Sequence, residues 1–450
     1  MRWRRERRVA PTAGEGSLLA LALLALVAGA GSGLVVAVFR LALAAADRWR
    51  NALLAGARQL AVPFAGFLLV VIGSAVAVGL AAWLVRRFSP YASGSGIPQV
   101  EAALTGDLPP APPRLITVKF VGGLLAIGAG MALGREGPSV QMGAVVADLV
   151  GKWCRRSWPD LRTLLASGAG AGLAVAFNAP IAGAVFVLEE LVRRLETRIA
   201  IAALGASSTA ILISRLFLGD MPDFQVTVSA QATTATGPLP YGLAATWPLY
   251  VALGIVAGAA AGLYNRTILG ATALAARLDR RCPVEIQAAT IGALVGIVGW
   301  FAPGLIGGGG EITQRVLAGG AAIATIPLAF AVRFGLGAAS YAARTPGGLF
   351  APLLVLGAQL GLVCGALARA AFPGLGIEPE AFAVVGMAAF FTGVVQAPVT
   401  GIVLVTEMTA AFTTLLPMLA ACFAAIVTAN LLCTLPIYDA LRERVARQSR

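Results

Sequence analysis

Asn178-Ala-Pro-Ile-Ala-Gly-Ala-Val-Phe-Val-Leu-Glu189 and Gln396-Ala-Pro-Val-Thr-Gly-Ile-Val-Leu-Val-Thr-Glu407 align without a gap, at a constant offset of 218 positions. The same offset pairs Gly168 with Gly386 and Ala171 with Ala389, and Pro138 and Pro352 fall within a small insertion of it. A repeat of this length predicts a chain built from two homologous halves. Composition says what the halves are made of. Of the 450 residues 58% are apolar and only 12% charged, and apolar runs recur from Ser17 to Leu435. A surface so apolar belongs in lipid, so the sequence predicts an all-α, multi-span integral membrane protein.

Composition also excludes. A soluble enzyme, a disordered tail protein and a disulfide scaffold are ruled out; Cys154, Cys282, Cys364, Cys422 and Cys433 are scattered without CxxC spacing and are expected to be small apolar packers. The chain has no histidine. Ser-His triads, HExxH zinc sites and histidine relays are therefore absent, no metal site is expected, and proton chemistry falls to carboxylates, tyrosine or lysine. The net charge of +13 comes from arginines at the ends of apolar segments. That pattern fits positive-inside topology and not a nucleic-acid surface.

No lysine or arginine occurs between Arg215 and Arg266, a stretch that contains the polar run Asp220 to Tyr241. This places the middle of the chain outside, whereas the arginines at 2, 4, 5, 7 and 8 and at 442, 444, 447 and 450 place both termini in the cytoplasm of a cell (inner or plasma) membrane. The expected organisation is a basic cytoplasmic tail over 1–15, a first membrane repeat over 16–217, an extracytoplasmic linker over 218–245, a second repeat over 246–440 and a short cytoplasmic tail over 441–450. Homologous halves that start on opposite sides are inverted repeats, an architecture of transporters with a central site made by broken helices.

The break points are Gly94-Ser95-Gly96-Ile97-Pro98, Gly134-Arg135-Glu136-Gly137-Pro138 and Gly347-Gly348-Leu349-Phe350-Ala351-Pro352. Each is a glycine turn ending in a proline suited to the first turn of a helix. A helix start leaves about four unpaired N–H donors and roughly half a positive charge. Three such starts converging at mid-membrane would replace the hydration shell of a small anion.

These three motifs, in this order, resemble the CLC chloride channel and transporter family. The resemblance extends through Asn178–Glu190 and Gln396–Met408 to Pro436-Ile437-Tyr438 and covers nearly the whole chain. It implies a CLC-like inverted-repeat fold of short, tilted, interrupted helices, and a homodimer with one anion pathway per subunit. Carried over by position, it makes Ser95 and Tyr438 hydroxyl donors to a central chloride or similar halide, joined by backbone amides around Gly348, Leu349, Phe350 and Ala351. It makes Glu136 the external gate and Glu190 the internal proton-transfer residue, with no cofactor. Physics supports the gate: a carboxylate near helix starts can occupy the place a halide would take, and protonation releases it. The competing role for Glu136 is a salt bridge with Arg135, and for Glu190 a helix-end pair with Arg193 or Arg194.

Lys119 and Arg135 either raise the anion potential along the approach or snorkel at helix ends. Glu407, the repeat mate of Glu189, is expected to be structural, paired with an arginine. Ser95 resembles the chloride-selecting form of its motif, and intact Gly134–Pro138 argues against the fluoride-exporting branch. The function implied is chloride/proton antiport; the alternative is a passive voltage- or pH-gated chloride channel, disfavoured because Glu190 is retained. An intramembrane aspartyl protease, suggested by Tyr438-Asp439, lacks a second Gly-x-Gly-Asp and is set aside, so no enzyme activity is expected.

Overall fold

Glycine and proline cut the apolar segments into helices of unequal length, and the lengths decide what each can do. The computed structural model describes residues 17–220, 222–226 and 241–448. The expected tail over 1–15 and most of the linker over 218–245 lie outside them. The first half contains α1 (Leu18–Arg58), α2 (Pro63–Phe88), α3 (Ile97–Thr105), α4 (Arg114–Gly128), α5 (Glu136–Trp153), α6 (Trp158–Phe177), α7 (Pro180–Phe186) and α8 (Thr197–Leu218). The second contains α9 (Tyr241–Leu278), α10 (Val284–Phe301), α11 (Gly310–Leu317), α12 (Ile326–Ala342), α13 (Phe350–Ala371), α14 (Pro379–Val395), α15 (Pro398–Thr409) and α16 (Leu415–Leu431), followed by α17 (Ile437–Gln448). No strand occurs among the described residues; two isolated bridges, Gly94 with Pro346 and Gly134 with Gly348, are the exceptions to helix pairing.

Among the described residues, eight helices are long and apolar enough to cross a membrane. At 41 residues, α1 runs about 60 Å at 1.5 Å per residue, twice the roughly 30 Å of hydrocarbon, so it must tilt or project. By contrast, α3 and α11 have 9 and 8 residues, too few to cross the hydrocarbon. Apolar side chains cover the outside as well as the core. Leu216, Phe423 and Leu431 are 74%, 70% and 78% exposed on the outside, while alanine and glycine dominate the interior, as hydrocarbon surroundings allow.

The repeat is visible in packing. A Cβ on Gly143 (α5) would lie 2.2 Å from the Gly168 carbonyl (α6), and one on Gly357 (α13) would lie 2.4 Å from the Gly386 carbonyl (α14). Both halves thus bring two helix backbones into contact at matched glycines. Both α6 and α14 end on a left-handed residue, Asn178 (φ 51°) and Gln396 (φ 64°), and the next helix starts on proline, Pro180 and Pro398.

The two halves also cap one another. Glu189 accepts hydrogen bonds from the Val399 and Thr400 N–H groups (3.0 and 2.6 Å) and from the Thr400 hydroxyl (2.6 Å). Glu407 accepts from the Ile181 and Ala182 N–H groups (3.1 and 2.8 Å). Each carboxylate fills the orphan donors at the start of the other repeat's helix. Glu407 therefore binds a helix end and not the arginine expected from sequence, because the backbone already supplies paired donors there. The cysteines also depart from expectation: Cys422 is buried, but Cys154 and Cys433 are exposed.

Glu189→Ala and Glu407→Ala each leave a helix start uncapped and are expected to cost about 1.5–3 kcal/mol, the range for hydrogen bonds to a charged group. The check is the thermal unfolding midpoint in detergent; unchanged midpoints in both variants would refute the reciprocal cap.

Candidate functional site

Backbone released by a helix break inside lipid must find partners within the protein. Here the three breaks find one another. Gly94 N–H donates to Thr345 O (3.2 Å) and Gly347 N–H to Gly94 O (3.1 Å), while Gly134 and Gly348 exchange a reciprocal pair of bonds at 2.9 and 2.8 Å. The turn before α13 is thus held between the turns before α3 and α5, and the three helix starts converge. Lys119, fully buried on α4, pins the first turn by donating to Ala92 O (2.9 Å) and Gly94 O (2.7 Å). It does not snorkel.

Glu136 is the first residue of α5 and has no exposed surface. Its Oε1 accepts the Phe350 N–H at 2.6 Å, on the start of α13. Its Oε2 is buried without a hydrogen-bond partner. The carboxylate fits because its walls lack side chains: a Cβ on Gly134 would stand 1.9 Å from Oε2, and one on Gly348 2.1 Å from Oε1. So the carboxylate lies where the sequence places an anion. The Arg135 pairing does not form; Arg135 donates to Ala176 O (2.8 Å) and binds Asp223 (2.6 Å), which also holds Arg40 (2.8 Å).

The predicted anion ligands divide. The Gly348 N–H is taken by Gly134 O and the Phe350 N–H by Glu136, so Gly348 contributes space and not a free donor. Leu349 is buried, and Ala351 lines an open cavity of about 720 Å³ that reaches Gly134 and Arg135. Ser95 is fully buried, its Oγ accepting the Ile97 N–H at 3.3 Å, and Gly94 and Gly96 on either side have positive φ. Pro98, Pro138 and Pro352 each lie in the first turn of their helix, and Gly137 packs on the Ser95 backbone, 2.7 Å from Cα to a would-be Cβ. Tyr438 is buried with its hydroxyl unpartnered, and its ring lies 5.9 Å from that of Phe350. Phe177, Phe186 and Phe391 surround the same ring at 6.3, 5.8 and 4.6 Å, which fixes the start of α13.

A second group of charges lies next to Tyr438. Helix α7 ends in a π-turn, Val187–Leu191, which turns Glu189 toward α15 and leaves Glu190 3% exposed. Arg193 contacts Glu190 at 3.5 Å and Asp439 at 2.9 Å. Glu190 thus makes the helix-end contact with Arg193, at the long end of the ion-pair range, while staying buried. Arg442 reaches Asp439 (3.3 Å) and Glu101 (4.0 Å). Glu101 on α3 is 1% exposed, neither of its carboxylate oxygens has a hydrogen-bond partner, and Glu190 acts on it electrostatically. Glu101 belongs to none of the three glycine-proline motifs. The available signal was a lone acid in the apolar run Ile97–Leu104. Through Tyr438 and Asp439 the start of α17 joins this cluster to the Glu136 cradle.

The family model described as voltage gated chloride channel matches residues 77–430. The H(+)/Cl(-) exchange transporter ClcA of Cronobacter sakazakii is 36% identical over 430 residues, covering 95% of this chain and 90% of the relative. A solved slow cyanobacterial Cl-/H+ antiporter superposes with a TM-score of 0.88 at 32% identity, covering 97% of this chain and all of the other. A eukaryotic CLC transporter, at 24% identity and a TM-score of 0.78 over 94% of this chain and 74% of its own, shares the fold. The interlocked helix starts, the matched halves and these similarities agree: the chain is a multi-pass integral membrane protein that belongs to the voltage-gated chloride channel (CLC) family.

Proposed function

We propose that this protein is a secondary active chloride/proton exchanger, a transporter and not an enzyme, in which Glu136 alternates between holding the anion path shut and carrying a proton. The observation that carries this reading is the Glu136 carboxylate seated on the α13 start, bonded by the Phe350 N–H at 2.6 Å with its second oxygen unpartnered. An ionised carboxylate competes there with chloride for the same helix dipole. Protonation removes the charge that holds it, the side chain leaves, and chloride takes the cradle with Ser95, Tyr438 and the Leu349–Ala351 backbone as donors. Glu190 relays protons between Glu136 and the cytoplasm, held beside Arg193, Asp439 and Glu101. The names of the similar exchangers support coupling over passive conduction, and so does the buried Glu190, which a voltage- or pH-gated channel has no need to keep.

The protein works as a homodimer with one pathway per subunit, in the cell's inner or plasma membrane, both termini cytoplasmic. It takes no cofactor or metal beyond the transported halide and binds no nucleic acid.

Purified protein in liposomes, with halide efflux and external pH recorded together, tests the exchange. A halide gradient alone is expected to drive protons uphill; halide flux with no proton movement would make the protein a channel. Glu190→Ala and Glu136→Ala are each expected to reduce halide-driven proton movement to background while halide flux survives. If either variant still pumps protons at the parent rate, its assigned role is wrong.

Removing the tethered carboxylate also frees the cradle. Glu136→Ala is expected to bind chloride more tightly by on the order of 1 kcal/mol, about fivefold, since the helix-end interaction lost by the side chain becomes available to the ion. Titration calorimetry reads this directly. Equal or weaker affinity in the variant would contradict competition for one place.

A further inference from the structure

The inverted repeat gives the Gly94–Gly96 turn and Lys119 counterparts, and one counterpart has a buried N–H left without a partner. Gly94-Ser95-Gly96 before α3 corresponds to Gly307-Gly308-Gly309 before α11, and the backbone repeats in detail. Gly94 and Gly96 have φ of 63° and 84°, and Gly307 and Gly309 have 79° and 90°. Gly94 N–H donates to Thr345 O (3.2 Å) and Gly307 N–H to Gly130 O (2.7 Å), each bond crossing to the other half. Lys119 on α4 corresponds to Arg333 on α12. Lys119 Nζ donates to the carbonyls of Ala92 and Gly94 at 2.9 and 2.7 Å; Arg333 Nη1 donates to those of Leu305 and Gly307 at 3.2 and 2.6 Å.

The substitution of arginine for lysine is where the copies part. One ammonium is enough to tie two carbonyls, as Lys119 shows. Arg333 does the same with Nη1 alone and has Nη2 left over. Arg333 is 2% exposed, it forms no ion pair with an acid among the described residues, and Nη2 has no hydrogen-bond partner. That nitrogen lies against Gly309, the residue before α11: a Cβ there would stand 2.7 Å from it. A buried guanidinium without a counter-charge is costly, and a free N–H beside an eight-residue helix start places two kinds of anion donor at one point.

The start of α11 is reachable, although Arg333, 2% exposed, does not itself line the cavity. Gly307–Gly310 line the 720 Å³ cavity that also reaches Gly134, Arg135 and Ala351. Of the acids lining it, Asp47 is held by Arg50 and Asp223 by Arg40 and Arg135. Glu311, exposed in the first turn of α11, is the remaining competitor.

We propose that the start of α11 and Arg333 Nη2 form a second binding site for a small monovalent anion such as chloride, off the pathway cradle and related to it by the internal repeat. It is a vestibule site, occupied from the cavity, and it does not depend on whether transport is coupled to protons. Gly308 stands where the first half has Ser95, so the guanidinium takes the part played there by the hydroxyl.

The test uses bromide, whose anomalous scattering marks its position in crystals of the purified full chain. Expected is a peak within hydrogen-bond distance of Arg333 Nη2 and the first N–H groups of α11. Arg333→Lys copies the arrangement the first half already uses at Lys119, so the Leu305 and Gly307 carbonyls keep a donor while the surplus N–H is lost. In this variant the peak is expected to disappear, and equilibrium dialysis with radiolabelled chloride is expected to show about one fewer ion per chain. Glu311→Gln, which removes the competing carboxylate, is expected to strengthen the peak. No peak in the parent protein at saturating bromide, or a peak and an ion count unchanged in Arg333→Lys, overturns the proposal. Because the readout is position and count, a negative result leaves the Glu136 cradle and the exchange reaction to be judged by their own tests.

Discussion

The reciprocal pair of hydrogen bonds between Gly134 and Gly348 is the contact on which the rest of the molecule depends. Both residues lie at helix breaks, where the backbone has left its own helix and must find partners within the protein. Pairing break to break satisfies both at once and fixes α5 and α13 start to start. The contact is also self-equivalent under the repeat, since Gly134 and Gly348 occupy matching positions. The pseudo-twofold relation between the halves therefore runs through this bridge, and the cradle is built around it. Neither glycine can be replaced without filling the space in which the Glu136 carboxylate lies.

Placed on that axis, the site can only be made asymmetric by side chains. Glu136 and Phe350 are repeat mates, and the carboxylate of one is bound by the N–H of the other at 2.6 Å. The first copy supplies a carboxylate; the second supplies the helix start that binds it, held by aromatic rings. The same division recurs further out. Glu189 and Glu407 were kept as mutual helix caps, but the residue after each differs: Glu190 in the first half, Met408 in the second. The capping pair explains why the acid is retained in both copies, and it isolates Glu190 as the one whose presence capping does not account for. The π-turn found in the first half, with α-helix at the matching place in the second, is what separates the directions of Glu189 and Glu190.

Much of this was legible in the sequence because it is carried by backbone. Glycine turns ending in proline, an offset shared by a dozen residues, and a stretch without lysine or arginine each report local or statistical properties that survive translation into one dimension. The three breaks, the buried position of Glu136 and the all-helical inverted-repeat fold could be read that way. What could not be read is who meets whom across the halves. Arg135 was an equally good partner for Glu136 by proximity in sequence, yet Asp223, beyond α8, takes it. Gly348 looked like a donor because it stands at a helix start, but its N–H is spent on Gly134. Glu101 gave a weak signal, one acid in an apolar run, and its meaning comes only from α17 folding back to bring Arg442 alongside.

The counterpart of Gly94–Gly96 at Gly307–Gly309 shows where such reading fails for a different reason. The offset there is five residues short of that in the Asn178 and Gln396 segments, and four consecutive glycines carry no side-chain pattern to align. Structure recovers the match because conformation is retained where sequence is not: two left-handed glycines, a cross-half bond, and a cation tying two carbonyls recur in both copies. An inverted repeat thus preserves the backbone of a helix-start cradle in duplicate while leaving each copy free to change its side-chain donors. In the first half the change produced a hydroxyl and a buried lysine tied to two carbonyls beside the Glu136 carboxylate; in the second it produced a guanidinium with a donor to spare. Duplication explains the shared geometry, and the chemistry of the diverged side chains explains why the copies need not do the same thing.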